Sequence, residues 1–366
     1  PDIAIARPGA HLDITIARPG AHPDSDIARP GAHPDIAMDR ERLRPGPALC
    51  RPLALRAGAF VVRWDPRRGG RLVIAHPGTG GRTLVATLPG RAFLAAAVGD
   101  ARIREPRGHV FVRDRVRQRL DRQTLDAIAA DGDAVLLCGV LRGPRAAVVA
   151  YSLRLSPVDA AQLRFELTLQ PQAGGPAPNR TALILAAARG ERFFGFGAQF
   201  SRLDMAGRHL PIVASEQGIG RGLQPLTLLA NLRAGAGGAW HSSYAAIPFL
   251  LGSALRALCL ETSEVAVFDM RRGAVRVELH AARMAGRLFA GASPPELLRA
   301  YTAYAGRMRP LPDWVHAGAI VGLQGGTARV RALLARLQAR GVPLAALWLQ
   351  DWTGRRRTSF GDQLWW

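Results

Sequence analysis

Polar side chains follow two apolar runs near the end of the chain. The run Trp314–Gly322 leads to Gln324, and the run Leu344–Leu349 leads to Gln350 and Asp351. Amides and carboxylates offer several hydrogen-bonding atoms. In a (β/α)8 barrel, the active site lies at the carboxyl ends of the strands. We therefore take these polar residues as candidate ligand-binding groups.

The segments around them predict one strand–helix–strand unit of a parallel sheet. Each apolar run is typical of a strand buried on both faces. Between them, Thr327 can cap a helix that reaches about Gln338. One face of this helix is apolar, formed by Val330, Leu333, Leu334 and Leu337. Gly341 and Pro343 then end the helix.

The same strand–helix–strand unit also occurs in dinucleotide-binding folds, and Asp351 could serve as the acidic residue of such a fold. However, Gly322, Gly325 and Gly326 have the spacing G-x-x-G-G and not G-x-G-x-x-G. The glycine that lets the backbone approach a pyrophosphate is therefore missing. The sequence favours the barrel.

The middle of the chain predicts a large antiparallel β-sandwich, because short strands alternate with Gly/Pro turns. In Gln162–Gln170 every second residue is apolar, which is the period of a strand with one packed face. We expect a helix over Arg115–Ala130. The predicted strands are Ala59–Trp64, Arg71–Ala75, Arg82–Leu88, His109–Asp114, Ala134–Leu141, Ala146–Leu155, Gln162–Gln170, Thr181–Ala187, Arg256–Thr262 and Ala274–His280.

Composition gives little support to a nucleic-acid partner, although the formal net charge is +21. All 49 basic residues are Arg, and the abundant Ala, Gly, Pro and Arg all have GC-rich codons. We expect no membrane partner, and we expect no nucleic-acid partner unless the arginines cluster on one face. The three cysteines lack metal or disulfide spacing, and Cys138 and Cys259 lie in apolar runs. We expect a cytoplasmic protein, and the oligomeric state stays open.

The two ends of the chain differ from its middle. Residues 1–33 are three copies of an eleven-residue unit with a Pro-Gly pair, which predicts a disordered tail over 1–37. A metal site formed by the repeated His11, His22 and His33 is the weaker alternative. We expect that 1–37 precedes the true start at Met38. The predicted domains are the tail 1–37, the sandwich 38–305, and the start of a truncated barrel, 306–366.

Several motifs resemble glycoside hydrolase family 31, in particular its sulfoquinovosidase branch. The motifs lie in segments 191–200, 215–222, 322–326, 347–352, 358–361 and 365–366: ERFFGFGAQF, SEQGIGRG, GLQGG, LWLQDW, TSFG and WW. The resemblance covers roughly residues 190–366. It implies a mutarotase-like β-sandwich followed by a (β/α)8 barrel, and an α-glycosidase that needs no cofactor or metal and acts on a small glycoside.

The resemblance also implies roles for residues of the sugar pocket. Gln324 and Gln350 match the family's pocket glutamines, and Asp351 is expected to accept sugar hydroxyls. Trp366 falls where the branch has a tryptophan beside the sulfonate. The branch's sulfonate-binding arginine is replaced by Gln363, so a neutral α-glucoside is the second candidate substrate. We expect Arg355, Arg356 and Arg357 in a nearby loop. Either they compensate for the missing arginine, or they form a solvated run. The implied substrate-binding set is Gln324, Gln350, Asp351, Trp352, Gln363 and Trp366.

Retaining α-glycosidases use two carboxylates about 5–5.5 Å apart. In this family both are aspartates on later barrel strands, which we expect beyond Trp366. Asp313 and Asp351 are not a catalytic pair, because they lie at opposite ends of their strands. We therefore assign no catalytic residue and expect an N-terminal fragment that is inactive by itself. A non-catalytic carbohydrate-binding β-sandwich is the alternative function.

Overall fold

Alternation of apolar and polar residues produces antiparallel strands through most of the chain. The computed structural model describes residues 43–79, 81, 83–171, 175, 177–349, 354–358 and 361–364. The chain divides into two compact units, with the division between Tyr301 and Thr302. Within the described residues, no helix combines the length and the apolar character needed to cross a membrane.

The first unit contains the following strands: β1 Leu43–Pro45, β2 Leu53–Ala57, β3 Phe60–Asp65, β4 Arg71–Ala75, β5 Thr83–Ala86, β6 Leu94–Arg104, β7 Phe111–Leu120, β8 Arg122–Asp131, β9 Ala134–Arg142, β10 Val148–Pro157, β11 Gln162–Pro171, β12 Arg180–Ala186, β13 Phe193–Gly197, β14 His209–Ile212, β15 Ile219–Arg221, β16 Gly237–Gly238, β17 Ala246–Gly252, β18 Arg256–Leu260, β19 Ala266–Asp269, β20 Ala274–Leu279 and β21 Arg283–Phe289. Helix α1 spans Pro225–Ala234, and α2, Pro294–Ala305, crosses the division between the units.

Three of the sheets form a β-sandwich, as the sequence predicted. A nine-stranded sheet has the order β1-β8-β9-β10-β11-β21-β18-β17-β13, a six-stranded sheet the order β14-β19-β20-β12-β6-β7, and a four-stranded sheet the order β2-β3-β4-β5. Their inner faces meet around a small apolar cavity lined by Leu153 and Leu288 from the first sheet, Leu183 from the second and Leu72 from the third. One hydrophobic core therefore serves all three sheets.

β11 shows how the alternation produces this packing. Leu163, Phe165 and Leu167 are at most 2% exposed, whereas Arg164 and Glu166 lie on the other face and are half-buried. On that face the Arg164 guanidinium donates to the Glu261 carboxylate at 2.8 Å and to the Glu166 carboxylate at 2.7 Å. Apolar packing on one face and ion pairs on the other fix the register of the strand.

The helix expected over Arg115–Ala130 is wrong. That segment forms parts of β7 and β8, which pair with β6 and β9. A polar side chain, Gln123, is only 1% exposed at an inward position and interrupts the apolar period. Its amide oxygen accepts from the Phe93 N–H at 2.9 Å, and its amide nitrogen donates to the Tyr151 hydroxyl at 2.7 Å. These bonds compensate the burial of the amide.

The second unit contains the predicted strand–helix–strand arrangement. β22, Ala319–Leu323, pairs in parallel with β23, Leu344–Leu349, and α3, Thr327–Ala339, connects them. An antiparallel hairpin follows, formed by β24, Arg355–Thr358, and β25, Gly361–Leu364. This α/β part after the sandwich also agrees with the predicted fold class.

Three details of the second unit differ from expectation. The run that begins at Trp314 starts as a 3-10 helix, Asp313–His316, and becomes a strand only at Ala319. Its strand is not buried on both faces, since Ile320 is 49% exposed. Thr327 is the first helical residue, and the capping position belongs to Gly326.

A buried ion pair joins the loop before β13 to β18. The Arg256 guanidinium donates to the Glu191 carboxylate through two nitrogens, at 2.6 and 2.5 Å. The same carboxylate accepts from the Ala188 N–H at 2.8 Å, and Arg256 also donates to the Ala186 carbonyl at 2.7 Å. The Glu191 side chain is 1% exposed. Each charge is therefore stabilised only while the other is present.

We predict that Glu191→Ala lowers the free energy of unfolding by about 3–5 kcal/mol, because it leaves the Arg256 charge buried without its partner. Urea denaturation followed by circular dichroism measures this loss. Glu264→Ala is the matched control, since Glu264 is exposed. Equal stability of the two variants would contradict the role given to the pair.

His241, between β16 and β17, is an internal pH-sensitive group. Burial lowers the pKa of His241 to about 4, and nearby His209 and Arg221 act in the same direction. Its Trp240 neighbour packs edge-on against the imidazole, with ring centroids 5.4 Å apart. The folded protein therefore holds this histidine neutral at pH values where an unfolded chain protonates it.

We predict a loss of stability as the pH falls from about 6.5 to about 4. Over this range His241 binds a proton in the unfolded state but stays neutral in the folded state. The full loss is up to roughly 3 kcal/mol. Thermal melting of His241→Gln and the parent chain between pH 4 and 7 tests this. The variant should lose that part of the pH dependence, whereas His316→Gln, at an exposed position, should retain it.

Candidate functional site

Gln324 lies directly after β22, at the carboxyl end of the parallel pair. Leu323 is paired with Leu349, so β22 and β23 end at the same level. Gln324 is exposed and is followed by Gly325 and Gly326, both with positive φ, of 106° and 85°. This conformation, which few other residues adopt, turns the chain from the strand into α3.

The remaining candidate residues are described less completely. Gln350, Asp351, Trp352 and Trp366 lie outside the described residues. The backbone of Gln363 belongs to β25. The roles of these residues therefore stay predictions.

The sequence suggested a loop for Arg355, Arg356 and Arg357. The structure places all three in β24 instead. The antiparallel register places Arg356 directly opposite Gln363 and Arg357 opposite Asp362. Residues opposite one another share a face of an antiparallel pair. The register thus assigns a cationic residue to the face of the hairpin that also carries Gln363.

A second group of polar and aromatic residues lies in the first unit, where the SEQGIGRG segment, 215–222, meets Phe200, Ser242 and Tyr244. The Tyr244 hydroxyl donates to the Glu216 carboxylate at 2.6 Å, and this bond raises the pKa of Tyr244. Arg221 donates to the Ser242 carbonyl at 2.9 Å, and its guanidinium carbon lies 5.0 Å from the Phe200 ring centroid. Tyr244 and Phe200 are each 60% exposed. Such groups can bind hydroxyls and stack on sugar rings.

Sequence reasoning assigned no role to these four residues. Phe200 lies in the ERFFGFGAQF motif, and Glu216 and Arg221 lie in SEQGIGRG. Their place in these motifs was the signal in the sequence that could have identified them. Tyr244 has no motif, and only folding brings it to Glu216. The same motifs contain a close backbone approach, because a Cβ at Gly197, where φ is 79°, would collide with the Ala245 carbonyl oxygen.

One cluster among the described residues has the side chains of a metal site, but ion pairs explain it better. Asp114, Glu278 and His280 are close enough to hold a metal ion, but Arg180 donates to Asp114 at 2.6 Å and Arg276 lies 3.4 Å from Glu278. The cluster therefore fits an ion-pair network better than a cation site. His11, His22 and His33 lie outside the described residues.

The cysteines Cys50, Cys138 and Cys259 are free. Burial raises the pKa of Cys259 to about 12 and also raises that of Cys138. Both thiols are thereby disfavoured as nucleophiles at neutral pH.

Comparison with known proteins shows what the chain resembles as a whole. It is 32% identical to a sulfoquinovosidase of Agrobacterium fabrum over 292 residues, covering 78% of this chain and 41% of the relative. It is 30% identical to the Escherichia coli sulfoquinovosidase over 262 residues, covering 71% of this chain and 37% of the relative. No family model matches the chain.

A solved structure supports the same relationship. The glycoside hydrolase family 31 sulfoquinovosidase from E. rectale, in complex with the aza-sugar inhibitor IFGSQ, has a TM-score of 0.71 and 26% sequence identity. The match covers 83% of this chain and 43% of that chain. The chain thus spans about two fifths of the length of the relatives it matches. It is a homologue of the sulfoquinovosidases of glycoside hydrolase family 31.

Proposed function

We propose that this chain provides the β-sandwich and the first strand–helix–strand unit of a retaining α-glycosidase. Its substrates are sulfoquinovosides, with neutral α-glucosides as the second candidate. The observation that carries the proposal is the 32% identity over 292 residues to a sulfoquinovosidase. The described geometry supports it, because Gln324 stands at a strand end, where barrel enzymes bind their substrates.

The sugar hydroxyls are bound, in this proposal, by Gln324, Gln350 and Asp351, with Trp352 beside them. A neutral amide can donate to one hydroxyl and accept from another. A carboxylate such as that of Asp351 accepts from two hydroxyls at once. The matched ends of β22 and β23 support this grouping, since Leu323 pairs with Leu349.

Recognition of the sulfonate needs a cationic donor, and the amide of Gln363 is not one. An arginine offers a charged, planar fork of donors that suits an anionic oxygen group. Arg356, opposite Gln363 in the hairpin, is our candidate for this role. Trp366 is assigned to the same subsite. The sulfonate would thus be bound from the strand next to the one that carries Gln363.

We predict that the protein expressed from the full reading frame of its gene hydrolyses 4-nitrophenyl α-sulfoquinovoside, with the α-anomer as the first sugar product. Release of 4-nitrophenol measures the rate, and proton NMR identifies the anomer. The α-glucoside is the comparison substrate. A folded protein that cleaves neither compound but binds glucose in NMR titrations would instead be a carbohydrate-binding sandwich.

Replacement of Gln324 by Ala should lower kcat/KM about tenfold for both glycosides, since one or two hydrogen bonds to hydroxyls are lost. Gln338→Ala is the matched control, because Gln338 is exposed on α3 of the same unit. Similar rates for both variants and the parent enzyme would remove Gln324 from the pocket.

Replacement of Arg356 by Gln should raise KM for the sulfonated substrate about 10- to 100-fold, the effect of losing a charged hydrogen bond. KM for the α-glucoside should stay within about twofold, because that substrate has no sulfonate. Arg357→Gln is the control from the same strand, and Gln363→Arg should restore binding in the Arg356→Gln background. An equal loss for both substrates would mean that Arg356 only supports the hairpin.

A further inference from the structure

Strands β6 and β7 extend beyond the rest of their sheet. β12 pairs with β6 over Leu94–Ala97, whereas β7 pairs with β6 as far as Arg104. The side chain of Asn179 continues the pairing at Gly99, accepting from its N–H at 2.9 Å and donating to its carbonyl at 2.8 Å. From Asp100 onwards, the named strands that pair in this part of the sheet are β6 and β7, which form a two-stranded ribbon.

One face of this ribbon collects arginines. The register places Arg102 opposite Arg113, and Asp100 opposite Arg115. Opposite residues share a face, as do residues two apart along one strand. Arg117, at the bulge in this pairing, donates to Asp100 at 2.5 Å. The arginine face consists of four exposed residues, Arg102, Arg104, Arg113 and Arg115.

Acidic residues are fewer than arginines on this face, counted over the described residues of β6 and β7. Among the described residues of the ribbon strands, Asp100 is the acidic residue on the arginine face, and it already bonds Arg117. Asp114 belongs to the other face and binds Arg180 at 2.6 Å. Glu105 follows the end of β6, in the turn. Arg102 lies directly opposite Arg113, so like charges adjoin on this face, and its arginines outnumber its acidic residue.

We propose that the arginine face binds single-stranded nucleic acid. Guanidinium groups bind phosphate oxygens through two parallel donors. Alternate residues of a strand lie about 6.6 Å apart, which gives a row of such donors along the ribbon. Phe111, opposite Arg104 on this face, is 44% exposed and offers a surface for stacking an unpaired base.

Other polyanions fit the face less well. A lipid surface is bound by several apolar side chains that enter the interface, and Phe111 alone supplies such a group among the described ribbon residues of this face. In a duplex the bases are stacked on each other and are not available to Phe111. Neither arginine nor phenylalanine in this arrangement distinguishes ribose from deoxyribose, so RNA and single-stranded DNA should bind equally.

The test uses the 366-residue chain and fluorescein-labelled U12 and dT12 oligonucleotides, followed by fluorescence anisotropy from 50 to 200 mM NaCl. With four phosphate contacts, the plot of log affinity against log salt should have a slope of about −3. The triple variant Arg102→Gln, Arg113→Gln, Arg115→Gln should bind at least tenfold more weakly, and its slope should fall to about −1.

The triple variant Arg56→Gln, Arg63→Gln, Arg142→Gln is the matched control, because it removes the same net charge from exposed positions elsewhere. It should retain affinity within about threefold, and thermal melting verifies that both variants fold. An equal loss in both would attribute binding to net charge and overturn the proposal. Binding to phosphatidylglycerol vesicles without binding to the oligonucleotides would overturn it as well, in favour of a lipid partner.

Discussion

The structure depends on the requirement that each large sheet cover the apolar face of the other. The nine-stranded and six-stranded sheets each have one face of aliphatic and aromatic side chains, and neither can remain in water. Phe93, Phe193 and Phe268 are at most 2% exposed in the shared core. The outer faces must then be polar, and the Arg164, Glu166 and Glu261 ion pairs show how they are satisfied. The packing of the sheets fixes the strand ends and therefore the positions of the loops that connect them.

The fold was predictable wherever one face of a strand is fully apolar. β4 was located to the residue because its short apolar run follows the turn residues Gly69 and Gly70, and β11 to within one residue because its apolar positions alternate. The alternation fails in β7 and β8, since Gln123 is a buried amide and the outer part of β7 has arginines at alternate positions. Long-range pairings such as β11 with β21 depend on the whole chain, so local patterns do not contain them.

The candidate site was predictable in part. The position of Gln324 at the end of β22 follows from the apolar run and the glycines after it, and both are local features. The opposition of Arg356 and Gln363 depends on where the hairpin turns, which the sequence alone left open. The bond between Tyr244 and Glu216 joins residues 28 positions apart and required the folded loops. Chemistry that depends on tertiary neighbours was therefore the part that motifs missed.

The pairing of β11 with β21 also has a consequence for synthesis on the ribosome. It joins Gln162 to Phe289, so a nascent chain that ends between Pro171 and Arg283 has β8 to β11 as consecutive hairpins without β21, the next strand of their sheet. Local hairpins form in microseconds, whereas distant pairings are slow. Throughout that interval the edge of β11 and its apolar face are open to other chains. The yield of soluble protein should accordingly depend on translation rate and on chaperones that shield the first half.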